Sequence, residues 1–189
     1  MGRWLRAFRR HLRRGPPDAE QAMGEALRRA LEDDLDAVEE LLARLARADA
    51  KRSDVHLALA RLYRRRGEIG RAIRVHQNLL LRRNLPERLR DEALGGLAAD
   101  FRRGGFLQRA IATYEELLAR HPRDRTALRA LVQLLSDARD FERALGLARR
   151  LARVEGRNPR PVEAGIRVQA AEAALAQGSL EAARKLLRR

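Results

Sequence analysis

The chain has 189 residues, no cysteine, 45% hydrophobic residues with only 4% aromatic, and a formal net charge of +15. That length fits one ordinary domain or one continuous repeat array. The absent thiols exclude disulfides, cysteine nucleophiles and thiolate metal sites, and no apolar run approaches the roughly 18 residues that span a bilayer.

Residues 1–14 place Trp4, Phe8 and Leu12 at i, i+4 and i+8, with Leu5 beside them, among six Arg and no acid. This pattern predicts a basic amphipathic helix. Such a helix lies on an anionic membrane surface, where each Arg contributes on the order of 1 kcal/mol. A frayed tail, or a helix docking Trp4 and Phe8 onto the following helices, fits the same residues. Gly15-Pro16-Pro17 then breaks the helix, so 1–17 reads as a separate segment and 18–189 as the main body.

The main body repeats. Ala, Leu, Arg and Glu dominate it, a mixture that favours helix because unbranched side chains lose little rotamer freedom there. Asp34-Leu-Asp-Ala-Val-Glu-Glu-Leu-Leu opens the series inside an acidic stretch, 15–50, of net charge −6. Arg61-Leu-Tyr-Arg-Arg-Arg-Gly-Glu-Ile-Gly-Arg-Ala-Ile follows, a helix ending near Gly67 and a second starting just after it. The same shape returns at Ala99-Asp-Phe-Arg-Arg-Gly-Gly-Phe-Leu-Gln-Arg-Ala-Ile, at Leu134-Leu-Ser-Asp-Ala-Arg-Asp-Phe-Glu-Arg-Ala-Leu and at Ala174-Leu-Ala-Gln-Gly-Ser-Leu-Glu-Ala-Ala.

Aligned on a small residue of each second helix, the units fall at Ala37, Ala72, Ala110, Ala144 and Ala183, at intervals of 35, 38, 34 and 39. The tetratricopeptide period is about 34. The longer intervals are assigned to extra loop residues around Leu85-Pro86 and Asn158-Pro159-Arg160-Pro161. Ala allows two helices to cross closely, while Tyr63, Phe101 and Leu135 fill the space beside each hairpin. Gly67, Gly105 and Gly178 suit a left-handed helix end, and Pro122 stops a helix. The predicted fold is all-α, a right-handed tetratricopeptide superhelix of about five hairpins, in which stacking buries the face no hairpin can bury alone. After Arg189 no polar capping helix follows, so a further element, a partner, or a second copy forming a homodimer is expected to cover that end.

The segment His56-Leu-Ala-Leu-Ala-Arg-Leu-Tyr-Arg-Arg-Arg-Gly-Glu-Ile-Gly-Arg-Ala-Ile-Arg-Val-His-Gln-Asn-Leu-Leu resembles the hallmark segment of the lipopolysaccharide assembly protein B (LapB) family. The resemblance runs on through Leu85-Pro-Glu-Arg-Leu-Arg-Asp-Glu-Ala-Leu and Asp100-Phe-Arg-Arg-Gly-Gly-Phe-Leu-Gln-Arg-Ala, covering roughly 20–187. It implies an adaptor at the cytoplasmic face of a bacterial inner membrane, presenting the deacetylase LpxC to the membrane protease FtsH and so limiting lipopolysaccharide synthesis. The family begins with a transmembrane helix and ends with a cysteine-bearing zinc module, and this sequence shows neither.

Counting from Tyr63, a groove lined by first helices takes Asp54, Leu57, Arg61, Arg64 and Arg65 from the second unit. It takes Glu92, Arg102 and Arg103 from the third, and Arg129 and Gln133 from the fourth. Arginine there makes bidentate pairs with carboxylates, so the groove favours an acidic segment of a partner protein. The net charge admits a second reading, a nucleic-acid or anionic-surface binder. Against nucleic acid, the basic excess is spread over 51–189 and base-stacking aromatics are nearly absent. His11, His56, His76 and His121 have no ligand spacing, so no metal or cofactor is predicted, and no phosphate loop or nucleophile elbow suggests an enzyme.

Overall fold

The computed structural model describes residues 21–188 except 23, 27, 30 and 31, so Trp4, Leu5, Phe8 and Leu12 lie outside the described residues. Among the described residues the regular structure is helical throughout. The described residues of 21–29 are helical and precede α1 (Leu35–Ala48), α2 (Ser53–Arg65), α3 (Ile69–Leu80) and α4 (Glu87–Arg103). Then come α5 (Leu107–Arg120), α6 (Arg125–Asp137), α7 (Phe141–Glu155), α8 (Arg160–Ala176) and α9 (Leu180–Leu187). No helix among them is long and apolar enough to cross a membrane.

The turn between the two helices of each hairpin is the same device five times. Its residue with positive φ is Asp33 (62°), Gly67 (81°), Gly105 (78°), Arg139 (62°) and Gly178 (77°). Each lies two residues before the next helix starts. An amide bonding back five residues closes this turn, as in Asp34 to Arg29 at 3.0 Å, Glu68 to Tyr63 at 2.8 Å, Asp140 to Leu135 at 2.8 Å and Ser179 to Ala174 at 2.9 Å. This is the Schellman closure, which satisfies the last carbonyls of the first helix. Two turns reach the left-handed region without glycine, at Asp33 and Arg139.

The turn residues are spaced 34, 38, 34 and 39 apart. This corrects the first interval: Val38, buried at 0%, holds the register position of Ala72, and the half-buried Ala37 does not. It also corrects the assignment of the extra residues to loops. α4 and α8 have 17 residues where α2 and α6 have 13, so most of the surplus is one more helical turn. The physical reason is where proline stands. Pro86 is the N-cap of α4, and Pro159 and Pro161 stand at the start of α8. A missing N–H costs nothing there, so proline opens the helix instead of lengthening the loop.

The chain divides into two compact units, up to Gly104 and from Gly105 onward. In the first, α1 packs on α2, α2 on α3, and α4 on both α2 and α3. One cluster joins Ala26, Val38, Leu42, Val55, Leu62, Tyr63 and Ala72, and a second joins Leu57, Leu79, Leu85 and Ala93. In the second unit α5 packs on α6, α6 on α7, α7 on α8 and α8 on α9. Leu128, Leu131, Leu134, Leu135 and Ala144 are its fully buried centre.

Candidate protein-binding surface

α2 and α4 lie side by side in the first unit and are tied by charge. Arg61 pairs with Glu92, both largely buried. Arg64 Nη1 donates to Asp100 Oδ1 at 2.7 Å and to the Gly96 carbonyl at 3.0 Å. On its other oxygen Asp100 accepts from His76 Nδ1 of α3 at 2.6 Å. Asp100 and His76 are 0% and 1% exposed. Burying a carboxylate at such a depth carries a desolvation cost, which its two hydrogen-bonded partners offset. The imidazole lies flat against Gly96, because a Cβ there would meet His76 Nε2 at 2.3 Å. One acid thus joins three helices of the first unit.

A second network surrounds the α2–α3 turn. Arg66 reaches Asp36, Glu39 and Glu68, and Arg71 reaches Glu39 and Glu68. Arg71 also stacks over the Tyr63 ring, 3.9 Å from its centroid, and donates to its hydroxyl at 2.9 Å. Burial first, then the Glu39 charge, push the Tyr63 hydroxyl above its ordinary range, against the pull of Arg71.

The expected groove residues therefore fall into three groups. Leu57 is a correction: at 1% exposure it is core, packed with Leu79, Leu85 and Ala93, because α4 covers the face that counting from Tyr63 left open. Asp54, Arg61, Arg64, Arg65 and Glu92 carry partners inside the unit. Asp54 is held by Arg52 at 2.6 and 2.9 Å, and Arg65 pairs with Asp33. Arg102 and Arg103 are exposed on the last turn of α4 and carry no ion pair among the described residues. In the second unit Arg129 pairs with Glu155, and Gln133 donates to Asp137 at 2.9 Å.

Sequence reading missed Asp100, Gly96 and His76 as one assembly. A signal was present: Arg61 and Glu92 are 31 residues apart, Arg64 and Asp100 are 36. Opposite charges about one repeat apart face each other on stacked first helices. Among the described residues no group of three or more His, Asp or Glu is placed to hold a metal ion.

Helices paired in sequence order and joined by one recurrent turn define the tetratricopeptide fold. Solved structures share it. The MamA protein superposes with a TM-score of 0.67 at 15% identity, over 90% of this chain and 88% of that one. A tetratricopeptide repeat protein from Parabacteroides merdae ATCC 43184 gives 0.69 at 17%, over 90% of this chain and 64% of that one. MamA from Desulfovibrio magneticus RS-1 gives 0.66 at 14%, over 92% and 93%. No protein-family model matches the sequence, and neither does any curated protein.

Proposed function

We propose that the chain is a non-catalytic protein-binding scaffold whose contact surface in the first unit is built on α2 and α4. The observation that carries this is the way internal ion pairs lock α2 and α4 together while Arg102 and Arg103 stay exposed at the end of α4, with the half-exposed Arg65 at the end of α2. A surface fixed before binding loses little side-chain entropy when a partner docks. The residues that recruit an acidic segment are then Arg65, Arg102 and Arg103, while Arg61 and Arg64 hold the helices in place.

The particular form we favour is an adaptor of the LapB kind at the cytoplasmic face of a bacterial inner membrane, with LpxC and FtsH as its partners. It rests on the resemblance of residues 56–80 and of 85–110. The basic segment with Trp4, Leu5, Phe8 and Leu12 would hold it to the anionic surface. A nucleic-acid role is the weaker reading, because Arg28, Arg29, Arg52, Arg61, Arg64, Arg66, Arg71 and Arg143 already hold carboxylates.

The test is surface-plasmon resonance of the whole chain against purified LpxC and the cytosolic part of FtsH. Arg65→Glu/Arg102→Glu/Arg103→Glu, which spares the buried network, should weaken binding by about tenfold or more at unchanged melting temperature. No binding by the unsubstituted chain rejects the LapB form. Binding that survives the triple substitution rejects this surface.

A further inference from the structure

Two helical glycines sit in different surroundings. Gly96 is required by its neighbour, since any Cβ there would run into His76. Gly146, in the middle of α7, has no atom within 4 Å of the place a Cβ would take. Packing therefore does not demand glycine, and glycine weakens a helix interior relative to alanine. The other second helices carry a side chain at this register position: Glu40, Arg74, Ala112 and Lys185.

What the missing side chain leaves is space. Gly146 opens on a groove of about 460 Å³ between α5 and α7, wholly inside the second unit. Leu118 and Ala119 of α5, Leu131 of α6, and Gly146 and Leu147 of α7 give it an apolar lining. A cavity of that volume, apolar with a few charged groups, has the character of a small-molecule site. The charges stand at its two ends. At one end Arg143 is taken by Glu115 and Asp140. At the other, about 10 Å along α7, Arg150 donates to the Pro122 carbonyl from Nε at 3.1 Å and from Nη2 at 2.6 Å. A carbonyl fixes the guanidinium without neutralising it, and among the described residues no carboxylate pairs with Arg150. Its Nη1–Nη2 edge is left for an anion held bidentately.

These features select the occupant. The α7 wall from Arg143 to Arg150 is helix, whose amides and carbonyls bond along their own axis. An extended peptide laid against it would bury amides without partners, whereas an alkyl chain has none to satisfy. One guanidinium edge balances one negative charge, as a carboxylate carries. At about 1.2 Å per bond, a chain of about eight to ten carbons covers the distance from Arg143 to Arg150. We propose that this groove binds a medium-chain alkyl carboxylate, its chain lying across Gly146 and its carboxylate on Arg150.

Isothermal titration calorimetry of the whole chain with decanoate, below its micelle concentration, should show one saturable site. Decanol, which lacks the charge, and acetate, which lacks the chain, should each bind about tenfold or more weakly. Arg150→Gln, which keeps a donor for the Pro122 carbonyl, should weaken decanoate about tenfold or more. Gly146→Leu, which places a side chain in the groove, should abolish binding, and circular dichroism confirms that both surface variants remain folded. Arg65→Glu/Arg102→Glu/Arg103→Glu should bind decanoate like the unsubstituted chain, which separates this site from the surface on α2 and α4. Absence of a saturable site, equal binding of decanol and decanoate, or indifference to Arg150→Gln overturns the proposal. So does binding that survives Gly146→Leu, or that is lost in the triple substitution.

Discussion

Gly96→Ala isolates the close approach of α4 to His76. The added methyl would lie 2.3 Å from His76 Nε2, 2.7 Å from Cε1 and 2.9 Å from Cδ2. Carbon contacts are comfortable near 3.5–4.0 Å, so the ring must retreat by roughly 1 Å. It cannot do so freely, because Nδ1 is held 2.6 Å from the buried Asp100. Overpacking of this kind costs about 1–3 kcal/mol. Helix propensity works the other way, since Ala is better than Gly in a helix interior by about 1 kcal/mol. The clash wins, and a net loss of up to about 2 kcal/mol is expected, which lowers the melting temperature of a chain this long by up to about 8 °C. Calorimetric melts and guanidinium unfolding measure it. Gly146→Ala in α7 is the control: no atom lies within 4 Å of its added methyl, so propensity acts alone and the variant gains stability. In a His76→Ala background the sign should invert and Gly96→Ala should stabilise, as for coupled neighbours. If Gly96→Ala stabilises the unsubstituted chain, or has the same sign in both backgrounds, the proposed lock is wrong.

Two further predictions test the turns and the capping charges. Arg139→Gly should stabilise by about 0.5–1 kcal/mol, because Arg139 sits at φ 62° in the position that Gly67, Gly105 and Gly178 fill elsewhere; a calorimetric melt with no gain would count against the turn analysis. Burial pushes the Asp54 carboxyl up, but the hydrogen bond and charge of Arg52 outweigh it and hold the group below its ordinary value. Its folded value lies below its unfolded one, so its stabilisation is present above about pH 4 and fades as pH falls through the folded value. Asp54→Asn should therefore flatten the acid limb of the melting-temperature profile below about pH 4, and an unaltered limb would show that the Arg52 pair adds nothing.

What the sequence disclosed depended on whether a position repeats. Ala72, Ala110, Ala144 and Ala183 recur at one register position of the second helices, and all four are buried. Gly67, Gly105 and Gly178 were legible as left-handed helix ends for the same reason. Asp33 and Arg139 were not, since neither residue type advertises a left-handed backbone and the closed turn around each imposes it. Leu57 was placed on a surface because periodicity within one helix says nothing about which neighbour covers it. The Arg61 and Arg64 partners were missed because their acids lie on the next first helix, and only stacking reveals that they meet.

The alternation of first helices, 13 residues in α2 and α6 and 17 in α4 and α8, gives the chain a period longer than one hairpin. Measured over two hairpins the turn residues recur at 72, 72 and 73 residues, from Asp33 to Gly105, Gly67 to Arg139 and Gly105 to Gly178. A short first helix and a long one differ by about 6 Å in length, so what recurs evenly along this chain is a pair of hairpins, one of each kind.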